Sequence, residues 1–273
     1  MFQNDEHRNP ILLFIILYVL SLSIFVIFYP FHLFIVFFGL FFLILIPSIT
    51  KLTKNMSVIQ IQTSNEIYEL SLALILAVAS IIYFRIILNI SDIWFSILWK
   101  NVFMVIFPLL ILYRTYSLPD FGFSTNDLKK NLFVGGILSL IVGVILAIAY
   151  FASHMFADPY IYITNVLIGL FIYFLAAALP EEFLFRGVIQ TRISNLFKSA
   201  KAGIFYSAII FGLMHIPILY LGTHSILYAF AHSIVFQAVI GIMFGYLWER
   251  TKNLIAPIML HATIDAFIVL LLI

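Results

Sequence analysis

The segment LPEEFLFRG, from Leu179 to Gly187, places two adjacent glutamates and an arginine inside a stretch with the composition of a membrane-spanning helix. An ionised side chain at the centre of a bilayer costs roughly 2.5–3.5 kcal/mol on insertion scales. Glu182 and Arg186 are four residues apart, so they share a helix face and can pair, which lowers the cost of burying both. Glu181 points about 100° away from that face and has no cation of its own, which suits a general base.

Two further apolar segments carry histidines that could act with Glu181. His261 and Asp265 are also four residues apart, so Asp265 could orient the imidazole, or both side chains could point at one place. His215 follows Phe211 by four residues in FGLMH. Three helices could thus present a glutamate and two histidines to one chamber. This is a hydrolytic set of base, water ligand and oxyanion stabiliser, and it is equally a ligand set for a catalytic zinc ion.

Other polar or small residues in these segments have simpler explanations. We interpret His232 as a hydrogen-bonding residue between helices, and we place His154 and His224 near the outer surface. Gly241 and Gly245 form a GxxxG pattern, which we interpret as ordinary close packing inside the bundle. The first half of the chain has almost no ionisable residues within its apolar segments, so the functional residues are expected in the second half.

The composition indicates a membrane protein with many spans. Of the 273 residues, 64% are hydrophobic and 10% are charged, with a mean hydropathy of +1.16, whereas soluble domains are about 25% charged. A net charge of +2 is too small to suggest a nucleic-acid partner. The chain has no cysteine, which excludes disulfides, a cysteine nucleophile and thiolate metal ligands.

The fold class predicted from these observations is an all-α polytopic transmembrane bundle of eight to nine spans. Apolar stretches long enough to cross a bilayer occur at about 11–29, 32–49, 67–88, 94–114, 131–152, 165–192, 201–217, 225–249 and 253–273. With the N-terminus in the cytoplasm, eleven of the fourteen Lys and Arg residues fall on the inner side. Only Arg85 and Lys100 fall near the outer ends, and Arg186 lies within the membrane.

The polar motifs together resemble the CPBP intramembrane proteases, also called the CAAX-protease and bacteriocin-processing, or Abi, family. That family's signature is EExxxR, then FxxxH, then a later HxxxN or HxxxD. This chain has EEFLFR from Glu181, FGLMH from Phe211 and HATID from His261, in the same order. The resemblance covers about residues 121–273, which we take as an intramembrane protease core. Residues 1–120, with about four spans, match no family pattern and form a separate N-terminal segment.

The resemblance implies roles for individual residues. Glu181 and His215 would hold and activate the attacking water, and Glu182 would be fixed by Arg186. His261 and Asp265 would support the transition state. Because an ionised Asp cannot donate a hydrogen bond to an oxyanion, Asp265 is expected to orient His261.

The family is described both as metal-dependent and as using a glutamate–histidine mechanism without a metal. Glu181, His215 and His261 would be the ligands if zinc were used. The cofactor prediction is therefore none or zinc.

The predicted function is hydrolysis of a peptide bond in a membrane-associated or lipidated peptide or protein, in a chamber open to the cytoplasm. The partners expected are that substrate and the lipid bilayer, and the location expected is a bacterial plasma membrane. A bacterial member would process peptide pheromones or bacteriocins, or confer immunity to them. The alternatives are a non-catalytic scaffold or immunity protein of the same fold, and an ion- or proton-coupled transporter. A transporter would spread its ionisable residues along a path between both faces, whereas a protease would bring Glu181, His215 and His261 together.

Overall fold

The structure, a computed structural model, describes residues 9–54, 56, 61, 63–80, 92–154 and 158–272. These residues form helices and their connections, with no strand among them. The helices are α1 (Pro10–Phe28), α2 (Pro30–Leu52), α3 (Glu66–Val78), α4 (Ile93–Leu112), α5 (Leu128–Ser153), α6 (Pro159–Leu196), α7 (Ala200–Thr223), α8 (Ile226–Thr251) and α9 (Ile255–Leu272). The predicted all-α bundle is confirmed.

Seven of these helices are long and apolar enough to cross a membrane, the two others being α3 and α9. The predicted third span continued to residue 88, and its last part lies outside the described residues, as do Arg8 and Arg85. Two helices extend beyond the spans predicted from the sequence. The sixth helix starts at Pro159, where the Asp158 side chain accepts hydrogen bonds from the first turn. The seventh continues to Thr223, because Pro217 interrupts the helix without ending it.

One end of the bundle is identified by contacts between distant segments. Arg192 Nε donates to Glu69 Oε2 at 2.8 Å, Asn253 donates to the Ser124 carbonyl, and Arg250 donates to Thr53. We call this the basic end, because ten of the twelve Lys and Arg residues in the described ranges lie here. They are Lys51, Lys54, Arg114, Lys129, Lys130, Arg192, Lys198, Lys201, Arg250 and Lys252.

At the opposite end of the bundle, the other termini of these helices are in contact with one another. Tyr29 and Ser225 share a hydrogen bond of 2.7 Å between the end of α1 and the start of α8. Tyr150 stacks on Tyr162 at 4.3 Å, which connects the end of α5 with the start of α6. No Lys or Arg of the described ranges lies at this end.

The first four helices pack into the same cores as the rest of the chain. Phe25 and Phe42 of α1 and α2 are buried with Phe244 and Leu260 of α8 and α9. Ala77 and Met104 of α3 and α4 are buried with residues of α6. The α4 helix therefore lies against the glutamate-bearing part of α6.

The GxxxG glycines serve close packing within the chain, as interpreted from the sequence. A Cβ at Gly241 would meet the backbone of Ala208 on α7, and one at Gly245 would meet the side chain of Gln190 on α6. Gln190 donates to the Gly245 carbonyl at 2.9 Å. In a bilayer, where helices gain little from apolar burial alone, such close approaches hold α8 against its neighbours.

Candidate active site

The α6 helix is irregular around its two glutamates. Wider turns with i→i+5 bonding run over Phe174–Ala178 and Phe183–Gln190, on either side of Leu179–Glu182. Pro180 lacks the N–H that would bond the Leu175 carbonyl in this pattern. Asn101 of α4 supplies the missing donor, since its side-chain nitrogen bonds that carbonyl at 2.8 Å. The break in α6 thus fixes α4 beside it, and wide turns of this kind occur frequently at functional sites.

This contact brings Lys100 of α4 to Glu181, which corrects two expectations from the sequence. Lys100 Nζ donates to Glu181 Oε1 at 2.5 Å. Glu181 therefore has a cation of its own, and Lys100 is a residue of the site rather than a charge at the outer membrane boundary. The expectation failed because the partner lies on a different helix, 81 residues earlier in the chain.

The second oxygen of Glu181 lies between the two predicted histidines. Glu181 Oε2 is 4.0 Å from His215 Nε2 and 3.9 Å from His261 Nε2. It is buried and has no hydrogen-bond partner among the described residues. A buried carboxylate oxygen without a partner is costly, so this arrangement suits a small polar molecule placed among the three side chains. Glu181, His215 and His261 converge as the protease prediction required.

His215 is placed by the interruption in α7. The helix breaks at Met214 and His215 because Pro217 cannot bond the carbonyl four residues before it. His215 Nδ1 is 2.8 Å from the Phe211 carbonyl, which can only accept, so this nitrogen carries the proton. In the neutral ring, Nε2 then offers a lone pair toward Glu181.

His261 is oriented by Glu182 as well as by Asp265. Its Nδ1 donates to Glu182 Oε1 at 2.7 Å, and its Nε2 lies 3.4 Å from Asp265 Oδ2. The sequence suggested Asp265 as the orienting group, but the shorter contact is with Glu182. Asp265 faces the same nitrogen that faces Glu181, so its carboxylate lies beside the place where the reacting atoms would lie.

Arg186 completes a buried layer beneath these residues. Its Nε lies 3.1 Å from Glu182 Oε2, as the i,i+4 spacing predicted. The guanidinium carbon lies 4.6 Å from the centroid of Phe211 and 5.3 Å from that of Phe244. Contacts of this type stabilise a desolvated cation. Glu182 is thus bound on one side by a fixed cation and on the other by His261.

A cavity of about 380 Å³ contains Lys100, Glu181, His215, His261 and Asp265 in its lining. Next to Arg186 its lining consists of three buried rings, Phe185, Phe211 and Phe244, which we call the aromatic floor. From there the cavity extends away from the basic end, toward Ile93, Ile218 and Val269. If the N-terminus is cytoplasmic, the basic end is cytoplasmic too, because α1 begins there. The cavity extends toward the opposite end, so this orientation conflicts with the expected chamber open to the cytoplasm.

The histidines outside this cavity follow the simpler interpretations only in part. His232 does not line the cavity, but its Nδ1 has no hydrogen-bond partner among the described residues. The rings that it contacts, Tyr228 and Phe236, belong to its own helix, so the predicted hydrogen bond between helices is not found. His154 stacks on Tyr150, and His224 is exposed at the end of α7. Sequence reasoning missed Lys100, Asn101 and the buried Glu69. The signal that could have identified them was the presence of polar side chains in the otherwise apolar first half of the chain.

The proposed zinc ligands can be compared with the distances that zinc requires. Zinc–nitrogen and zinc–oxygen bonds of about 2.0–2.2 Å place tetrahedral ligands about 3.4 Å apart. The separations from Glu181 Oε2 are longer, at 3.9 and 4.0 Å, and the Lys100 ammonium occupies its other oxygen. Within the described part of the chain, no group of three or more His, Asp or Glu side chains is arranged to hold a metal ion. These separations and the Lys100 contact do not fit a zinc ion held by the three side chains.

Comparison with known proteins supports the motif-based resemblance. Residues 163–267 match the family described as Rce1-like, type II CAAX prenyl endopeptidase Rce1-like. The matched segment contains all six predicted site residues, whereas Lys100 lies before it. The comparisons with curated proteins and with solved structures find no match. The protein is a multi-helix membrane protein, and its segment from residue 163 to residue 267 is similar to a family of proteases, the Rce1-like type II CAAX prenyl endopeptidases.

Proposed function

We propose that this protein is an intramembrane endopeptidase that hydrolyses a peptide bond in a membrane-associated or lipidated peptide. The observation that carries the proposal is Glu181 Oε2, a buried oxygen without a hydrogen-bond partner that faces Nε2 of both His215 and His261. The family match supports the reaction class.

A water molecule fits between Glu181 and His215. Both Glu181 Oε2 and His215 Nε2 are acceptors, and they are 4.0 Å apart. Hydrogen bonds of about 2.8 Å to each would meet at an angle of about 90°, which is near the H–O–H angle of water. Such a water donates both protons and turns its lone pairs toward the cavity. Glu181 takes one proton as the water oxygen attacks the substrate carbonyl carbon.

His261 is placed to stabilise the oxyanion that forms on the carbonyl. Glu182 accepts from its Nδ1, so Nε2 points into the cavity and can donate when it carries the second proton. One such donor is worth about 10²–10³ in kcat in other hydrolases. The proton held by Glu181 then passes to the leaving nitrogen as the C–N bond breaks, which leaves a carboxylic acid and an amine.

Lys100 acts as a positioning residue in this scheme. Its ammonium holds Glu181 Oε1, which directs Oε2 toward the histidines. Asp265 lies next to His261 Nε2 and can hold the ring in place when no substrate is bound. The cofactor, none or zinc, stays a prediction, and chelator treatment of the purified protein tests it directly.

The proposal is tested by comparing peptide termini in membranes of the source cells. The chromosomal gene is replaced by wild type, Glu181→Gln, His215→Ala or His261→Ala, at matched membrane expression. We expect new peptide termini in the wild-type membranes, and we expect them to be lost in all three variants. Glu181→Gln keeps the shape of the side chain but cannot accept the proton.

His232→Asn is the matched control, because His232 is an intramembrane histidine outside the cavity. It should leave the new termini unchanged. Identical termini in wild type and in the three site variants would contradict the catalytic proposal. The non-catalytic scaffold would then be the better explanation.

A further inference from the structure

The residues that line the cavity extend from the aromatic floor toward the end of the bundle opposite the basic end. On α4 the lining residues pass from Met104 through Lys100 and Ser96 to Ile93, and on α9 they pass from His261 to Val269. These steps follow helix faces, and eight residues of α9 correspond to about 12 Å. Both series of lining residues lie progressively farther from the basic end.

The exposure of the charged side chains changes in the same direction. Glu182 and Arg186, next to the aromatic floor, have side chains that are 0% and 1% exposed. Glu181 is 8% exposed, whereas Lys100 and Asp265 are 25% and 29% exposed. At the far side of the cavity, Ile93 and Ile218 are 39% and 37% exposed. The site is therefore reached from the end opposite the basic end.

The charge distribution assigns a membrane face to that end. Loops rich in Lys and Arg stay in the cytoplasm during insertion. In the described ranges all Lys and Arg outside the site lie at the basic end. The basic end is thus cytoplasmic, and the accessible side of the cavity faces the other compartment.

We infer that the substrate reaches the site from the extracytoplasmic face, which reverses the cytoplasmic chamber expected from the sequence. This inference rests on the proposed function, because it takes the molecule that enters the cavity to be a substrate. The substrate class is an exported or membrane-anchored peptide with an apolar, extended segment at the outer leaflet. A volume of about 380 Å³ with mostly apolar lining accepts a few side chains, not a folded domain.

The absence of cysteine allows a direct test in the full-length protein. Single-cysteine variants are treated in intact cells with a membrane-impermeant maleimide, before and after permeabilisation. His224→Cys, exposed at the end of α7, should be labelled in intact cells. Lys129→Cys, exposed at the basic end, should be labelled only after permeabilisation. The reverse pattern overturns the inference.

A second variant tests access to the cavity itself. Ser96→Cys lines the cavity and should react with a small charged methanethiosulfonate added outside the cells. Reaction only from the cytoplasmic side of inverted vesicles would overturn the inference. The labelling is repeated with Glu181→Gln, which should give the same pattern without any cleavage. Labelling from outside with no cleavage in the wild type would contradict the proposed function while leaving the access route intact.

Discussion

Glu181 and Glu182 are neighbours in the chain, yet their surroundings differ. Glu181 faces the cavity with Lys100 on one oxygen, while Glu182 is buried between Arg186 and His261. The i,i+4 spacing allowed the Glu182–Arg186 pair to be predicted, because one helix contains both residues. No spacing rule could identify the Lys100 contact, because it depends on how α4 packs against α6.

The first prediction concerns Lys100. Lys100→Met should lower kcat by roughly 10²-fold, because Glu181 Oε2 would no longer be held toward the histidines. Lys100→Arg keeps the charge and should recover part of the loss. Rates of peptide cleavage with the substrate identified from the membrane comparison measure both effects. Equal loss in the two variants would contradict the prediction, because a positive charge at this position would then not support activity.

The second prediction concerns the buried pair of Glu182 and Arg186. Either Glu182→Leu or Arg186→Met alone should reduce the free energy of unfolding by about 3–5 kcal/mol, because each leaves an unpaired buried charge. The double variant should be less destabilised than the sum of the two. Thermal unfolding in detergent measures this coupling, and additive losses would contradict it.

Among the elements, α6 departs most from what its sequence suggests. A proline inside an apolar helix predicts a kink or an end, but here the helix continues for 38 residues with wide turns around Pro180. The continuation depends on Asn101 of α4 and on side chains that bond carbonyls five residues back, such as Thr191 to Arg186. These compensating groups are recognisable only after the helices are packed.

The third prediction tests this compensation. Asn101→Leu should cost about 1–3 kcal/mol of unfolding free energy, because the Leu175 carbonyl loses its donor. Pro180→Ala restores a backbone N–H that can bond this carbonyl. The double variant should therefore be more stable than Asn101→Leu alone. Pro159→Ala, at the exposed first turn of the same helix, is the control and should change little.

At the scale of the whole molecule, the first four helices and the matched segment form shared cores and one site. The all-α bundle and most span positions could be predicted, because hydrophobic length directly reflects bilayer thickness. The division at residue 120 remains a prediction, although Lys100 and Glu69 connect the two parts. Glu69 binds Arg192 at 2.8 Å, 123 residues away.

The fourth prediction concerns this connection. Glu69→Gln should destabilise the protein by about 3–5 kcal/mol, because Arg192 stays buried without its carboxylate partner. Glu66→Gln, one turn earlier on the same helix, is only partly buried and keeps an oxygen that can accept from Thr63, so it should change stability little. Unfolding temperatures in detergent compare the two variants. Similar losses in both would show that the first helices are not anchored through Arg192.

The aromatic floor has an electrical consequence. Water entering the cavity would carry the potential of its own compartment to the level of Glu181, so the membrane voltage would fall across the layer of Phe185, Phe211 and Phe244. That voltage is worth about 2.3 kcal/mol per elementary charge per 100 mV. Under the proposed function, the floor would act as an insulator, so that hydrolysis deep in the bilayer would proceed without a leak of protons or ions between the two sides.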